Sequence, residues 1–393
     1  MGGASRGKWA FEVATLNAGL APLRVVTVLT VDLFEVLKDM MAAPAVTGFE
    51  EQRRKRIIEH FSRYCDEVSV DVIGNVIGTI GSGERAVMLA GHYDQLGFMV
   101  RHVDEKGYAH FSPVGGWDPR VVYGTRVRIW VGDETDAYVT GIIGAKPAHL
   151  TEPKDREKAV PLKEMRIDFA AGDQKEAEEM GVRAGCPVTP DSTLARLGSG
   201  DGDLVVGPAF DDVCAVSAFI KTLDEFHEDP PRGLKLHVVA TVQEEIGLRG
   251  AAVSGFNLNP WCAIASDVTH AVAPGVEESR VGEIHLGKGP AIAVGANFTR
   301  ALWEIMEAEA EAQGIPYQRE GVPAYSGTDA WALQVLRGGT ISGLVSIPNR
   351  YMHSPSEVIS LSDVENTGRL LAATVRALRE SDLKHTIEVF RRS

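Results

Sequence analysis

Two adjacent glutamates, Glu244 and Glu245, follow the apolar run in "LHVVATVQEEIGLRG", residues 236 to 250. Carboxylates that close repel, and one takes up a proton unless a cation stands beside them. Three other apolar runs end in side chains able to bind a metal: "AVMLAGH" in His92, "WCAIASD" in Asp267 and "TISGLVSIPNRYMH" in His353. Taken singly, each has an ordinary reading as a polar turn residue or a helix cap. A fifth candidate is Asp211 in "GPAFDDVCAV", where two aspartates precede a helical pattern although capping needs only one. A carboxylate has two oxygens, so Asp211 can bridge two cations.

Two histidines and three carboxylates, with Asp211 shared, give three protein ligands to each of two metals. That leaves a position for water, as in catalytic two-metal sites. Imidazole and carboxylate without thiolate suit zinc, cobalt or manganese. In "HYD", Asp94 lies two residues from His92 and can orient its ring. Successive residues project in different directions, so Glu245 as a ligand leaves Glu244 free to act as general base on the bridging water.

Such groups must be carried to one place. The four runs are apolar at successive positions, the pattern of strands buried on both faces of an α/β sheet, whose carboxyl ends share a crevice. Residues 32 to 64 read as two helices broken at Pro44 and Gly48, and "VCAVSAFIKTLDEF" as a third. A last helix opens with Ser362 and Glu365 in capping-box spacing, with Leu361 as its staple. Residues 96 to 200, rich in Gly, Pro and β-branched side chains, read as an inserted β-rich domain. The expected fold is therefore α/β, a mixed sheet flanked by helices with a small all-β insertion. Its divisions are an N-terminal extension at 1–30, a catalytic domain at 31–95 and 201–393, and the insert at 96–200.

The formal net charge of −14 over 393 residues argues against nucleic acid or an anionic membrane as partner, since both are bound through clustered Lys and Arg. Cys65, Cys186, Cys214 and Cys262 are scattered, without the spacing of a disulfide framework or thiolate zinc site, and a cytoplasmic setting is expected. Asn17, Pro22 and Arg24 interrupt any leader-like apolar stretch, and no run approaches the ~20 apolar residues of a membrane span.

The segments "AGHYDQLGFMV", "GPAFDDVCAV", "TVQEEIGLRGA", "ASDVTHA", "YSGTDAWALQVLRGG" and "SIPNRYMHSPSEVISLSDVENT" resemble, in order, the signatures of the tetrahedral or glutamyl-type aminopeptidases. These are dinuclear zinc exopeptidases formerly often named endoglucanases, and the resemblance spans about 33 to 383. It implies a zinc exopeptidase-like fold and two divalent ions, zinc or cobalt. One would be held by His92, Asp211 and Asp267, the other by Asp211, Glu245 and His353, with Glu244 as base. It also implies a cis peptide between Asp211 and Asp212, a dimerisation role for the insert, and dimers assembling to a dodecamer that admits peptides. Two departures stand out: Val213 replaces the family's usual arginine, and "IDFAAGD" replaces its "IDIGA" segment.

The expected activity is thus metal-dependent removal of N-terminal residues from peptides. The alternative is an N-acyl amino acid deacylase or carboxypeptidase of the same dinuclear group, because metals and fold do not fix the substrate class. A glycosidase would need two carboxyls flanking a glycosidic bond, normally without two metals. A non-catalytic shell protein would have no reason to keep Glu244 beside a full ligand set.

Overall fold

The computed structural model describes residues 31–132, 137–227 and 229–378, so the extension expected at 1–30 lies outside the described residues. Strands β1 (Glu67–Val70), β2 (Val76–Ile80) and β3 (Ala86–His92) come first, followed by β4 (Gly97–Val103), β5 (Ala109–Val114), β6 (Arg126–Trp130), β7 (Tyr138–Gly144), β8 (Arg166–Asp168) and β9 (Pro187–Pro190). The chain then forms β10 (Ala195–Arg196), β11 (Leu204–Gly207), β12 (Lys235–Thr241), β13 (Cys262–His270), β14 (Ala291–Gly295), β15 (Gln318–Val322), β16 (Ile341–Asn349) and β17 (Glu357–Ser360).

Eight strands make one mixed sheet in the order β1-β2-β12-β3-β13-β16-β14-β15. Its centre, β12-β3-β13-β16, is parallel, and every residue of β3 after Ala86 is buried, as a run of successive apolar residues requires. Helices Leu33–Met41, Phe210–Phe226 and Leu361–Ala377 contribute to the largest core cluster with Val87, Leu236 and Ile264 of the central strands. The first of these helices starts where Asp32 accepts from the N–H groups of Phe34 and Glu35. Among the described residues no helix is long and apolar enough to cross a membrane.

Strands β4 to β9 close a separate barrel in the order β4-β5-β8-β7-β6-β9, with its own core around Phe98, Val127, Ile143 and Ile167. Strand β10, although within 96–200, instead pairs with β11 in a small sheet completed by β17.

Three sequence expectations shift. The last helix begins at Leu361, and its cap is Ser360, whose Oγ accepts from Asp363 N; Ser362 Oγ donates to Asp203 instead. β17 runs directly into the helix, so the cap falls on the last strand residue. Glu245 and His353 lie in loops after β12 and β16, not at strand ends. Asp267 sits inside β13, but β13 pairs with β3 only from Cys262 to Ala265 and with β16 through His270. Asp267 is therefore past the end of the β3 ladder, where a strand interior opens onto the crevice.

Candidate metal centre

His92 is the last residue of β3. Its backbone N–H donates to Asp212 Oδ2 at 3.2 Å, and its ring Nδ1 lies 3.0 Å from the main-chain carbonyl of Asp94. The Asp94 carboxylate, expected to orient the ring, is 3.5 Å from Nδ1, so the carbonyl is the nearer orienting group. That carboxylate accepts mainly from elsewhere: Thr47 Oγ1 at 2.7 Å, Glu244 N at 3.0 Å and Glu245 N at 3.4 Å. Asp94 thus ties the two-glutamate loop to the end of β3.

The glutamate loop is held from a second side. Asn75 accepts from Val242 N and donates to Gly250 O. A Cβ on Gly250 would fall 2.4 Å from Asn75 Oδ1 and 2.5 Å from the Val242 backbone, so this close approach requires glycine. Gln243 and Leu248, flanking the pair, adopt left-handed φ of 56° and 57°. Ala209, Tyr351 and His353 share that conformation, so backbone strain gathers around the cluster.

Asp211 and Asp212 interrupt the helical φ/ψ at the start of Phe210–Phe226, and the peptide bond between them is cis, as the family resemblance implies. Asp212 caps the helix proper, accepting from Ala215 N at 3.3 Å. Asp211 is turned to the cavity. Its Oδ1 lies 2.9 Å from His92 Nε2 and its Oδ2 3.1 Å from His353 Nε2. Glu357, which sequence reasoning passed over, accepts from Asp211 N at 3.1 Å and His353 N at 3.0 Å, pinning both segments. Its only sequence signal is its place four residues after His353. Asp329, in the segment "SGTDA", accepts from Thr241 Oγ1 at 2.5 Å at the end of β12.

Among the described residues, two sets of ligand atoms lie within 4.8 Å of one another: His92, Asp211 and Glu245, and His92, Asp212 and Asp267. The second contains Asp212 where Asp211 was expected. Asp212 already serves two backbone N–H groups, whereas each Asp211 oxygen faces an imidazole, so Asp211 is the stronger bridging candidate. Glu244 Oε2 stands 3.8 Å from His92 Nε2, and Glu245 Oε2 stands 3.9 Å from His353 Nε2.

The charge balance tests whether a cation fits. Asp211, Glu244, Glu245 and Asp267 line a cavity of about 470 Å³ whose described lining contains no Lys or Arg. Burial, opposed by His92 and reinforced by the negative charges of Asp267, Asp329 and Asp211, pushes the Glu244 carboxyl up to about 10. Burial first and Asp211 among its neighbours push Asp267 to about 8. His92 is raised well above its ordinary value: burial opposes this, and Glu244, Asp211 and Asp94 outweigh it. Glu245 Oε1 is shielded and has no hydrogen-bond partner. A group of buried anions this short of countercharge suits divalent cations, and an oxygen and imidazole donor set suits zinc, cobalt or manganese.

The family described as M42 glutamyl aminopeptidase matches residues 74–370. The chain is 35% identical over 351 residues to the lysyl aminopeptidase of Pyrococcus furiosus, covering 89% of this chain and 98% of that relative. The crystal structure of a TET aminopeptidase from a marine sediment Thaumarchaeota archaeon is similar with a TM-score of 0.84 and 31% identity, covering 90% of this chain and 98% of that one. The Pyrococcus horikoshii TET1 peptidase, described as assembling into a tetrahedron or a large octahedral shell, gives a TM-score of 0.77 and 30% identity over 88% of this chain and 100% of that one.

Proposed function

The chain belongs to the M42 glutamyl aminopeptidase family and is a peptide-bond hydrolase; on that premise we propose that it removes N-terminal residues from peptides at a dinuclear metal site built on Asp211. The observation that carries this reading is the placement of the two Asp211 oxygens, 2.9 Å and 3.1 Å from the Nε2 atoms of two different histidines. In this reading His92 and Asp267 complete one site, and Glu245 and His353 the other. Divalent cations bound there supply Lewis acidity, bringing the pKa of a water toward neutral and polarising a carbonyl.

The chain's own residues divide the remaining work. Glu244, buried beside His92, takes the proton of the attacking water and returns it to the departing amine. Asp94 accepts from the backbone N–H of both Glu244 and Glu245, which keeps base and ligand in separate orientations. The Asp94 carbonyl fixes which His92 nitrogen faces Asp211. Val213, in place of the family's usual arginine, is fully buried in the main core, so no cation from that position reaches the cluster.

The test is turnover of protein reconstituted with zinc or cobalt. Amino-acid anilides with a free α-amine should be cleaved, and their N-acetylated counterparts should resist. Release of acetate from the acylated set, with the free-amine anilides left intact, would make the chain a deacylase and overturn the aminopeptidase reading.

Residues 96–200 serve self-association in this reading. The assembly of the horikoshii TET1 peptidase into a tetrahedron or a large octahedral shell supports a homo-oligomer. So does the outward face of β7, where Tyr138 and Ile142, four residues apart, remain 43% and 49% exposed. The insert also borders the cavity, since Gly116 lines it. Point changes therefore test assembly more cleanly than deletion: the Tyr138→Asp, Ile142→Asp double variant should sediment as a smaller species. An unchanged sedimentation coefficient would remove this face from the contact.

A further inference from the structure

The cavity has a fifth lining carboxylate that the metal-capable cluster does not use, Glu320 on the edge strand β15. Along β15 the exposed residues are Arg319 and Gly321, so the pleat turns Glu320 and Val322 into the cavity. Oε1 of Glu320 accepts from Thr269 Oγ1 at 2.6 Å, while Oε2 is shielded and has no hydrogen-bond partner. A shielded carboxylate oxygen without a donor is costly, and a cation beside it removes that cost. Burial raises the Glu320 carboxyl above its ordinary value; the hydroxyl of Thr269 opposes this, as does that of Ser346, which lies close enough to be felt but makes no hydrogen bond of proper geometry to Oε2.

Position and surroundings say what that cation is. Thr269 lies two residues beyond Asp267 on the same face of β13, ~7 Å along the strand. Glu320 is thus one long side chain away from the cluster where the scissile bond would sit. Val322, Leu344 and Met352 supply apolar wall in the same cavity, suited to the methylene stem of a lysine or arginine. His270 and His353 are the only basic side chains in the described lining; His353 faces Asp211, and burial and its neighbour His353 hold the His270 imidazole below its ordinary value. An acidic substrate side chain would meet Glu320 with no Lys or Arg to receive it.

We propose that Glu320 is the anchor for a cationic side chain on the substrate's first residue, so that this chain prefers peptides beginning with lysine or arginine and disfavours those beginning with glutamate. The proposal rests on the aminopeptidase reading, and the experiment separates the two. The full-length, cobalt-loaded protein and its isosteric Glu320→Gln variant are assayed on the p-nitroanilides of lysine, arginine, leucine and glutamate. In parallel, calorimetry measures their binding of lysinol and norleucinol.

The lysine substrate should lead for the wild type. Glu320→Gln should lower kcat/KM for lysine by ~30-fold or more, the effect of removing one member of a buried charge pair. Its leucine activity should stay unchanged, which also shows that the variant folds. Preference for leucine or glutamate in the wild type, or an equal loss on lysine and leucine in the variant, would overturn the anchor and leave the aminopeptidase reading standing. If no anilide is cleaved, the aminopeptidase reading fails, and binding decides the anchor. Tighter lysinol than norleucinol binding that disappears in Glu320→Gln supports it, and equal binding overturns it.

Discussion

Glu244→Gln is expected to retain both metals and lose two to four orders of magnitude in kcat, since general-base assistance is typically worth ~10²–10⁴. Gln fills the same space and keeps the backbone N–H that donates to Asp94 Oδ1 at 3.0 Å, so the loop should not move. What it cannot do is take a proton. Glu245→Gln should behave differently, because it weakens an anionic donor whose Oε2 lies 3.9 Å from His353 Nε2. One metal should then bind weakly, and activity should return in part as metal is titrated in. Metal content per chain, measured beside the rate for both variants, separates the roles. A Glu244→Gln protein that loses a metal equivalent, or recovers with added metal, would show the two roles exchanged or shared.

Removing the metals should abolish turnover reversibly and make stability run backwards with pH. In the metal-free protein Asp267 and Glu357 are each pushed to about 8 and Glu244 to about 10, burial being the first cause for all three. Unfolded carboxyls titrate near ~4. From there up to about 8 the folded state binds more protons than the unfolded state, so stability falls as pH rises through that window. Raised His92 acts in the same direction, contributing stability below its unfolded value that is lost as pH climbs. Each proton is worth up to ~1.4 kcal/mol per pH unit. The denaturation midpoint of metal-free protein should therefore drop between mildly acidic and alkaline pH. Cations bind the deprotonated ligands, so zinc or cobalt should stabilise most at the alkaline end and release protons on binding. Their affinity should weaken as pH falls. A metal-free protein whose midpoint rises toward alkaline pH, or full turnover after verified metal removal, would contradict the site.

Much of the arrangement was legible in one dimension. The runs ending at His92 and near Glu245 and Asp267 are apolar at successive positions because parallel strands with helices on both faces have no solvent side. That pattern fixes the sheet centre, and the sheet centre fixes one crevice. The closed barrel of β4 to β9 was legible only as β-rich character, because barrel closure depends on pairings between distant short strands that leave no local mark.

The sequence by itself narrowed which side chains could form the cluster, since few residue types bind metals and the apolar runs before His92, Glu245 and Asp267 carry them to one edge of the sheet. It did not determine their division of labour. Asp211 and Asp212 are chemically identical neighbours, and only the backbone turn at the helix start sends one to two histidines and the other to the N–H groups of His92 and Ala215. Nor could it find Glu357 or Glu320, whose significance lies in what surrounds them: two backbone donors for the first, a missing donor for the second. A carboxylate's role depends on burial and on which partners reach each oxygen, and those are set by contacts between segments far apart in the chain, such as Asp211 with Glu357, 146 positions away.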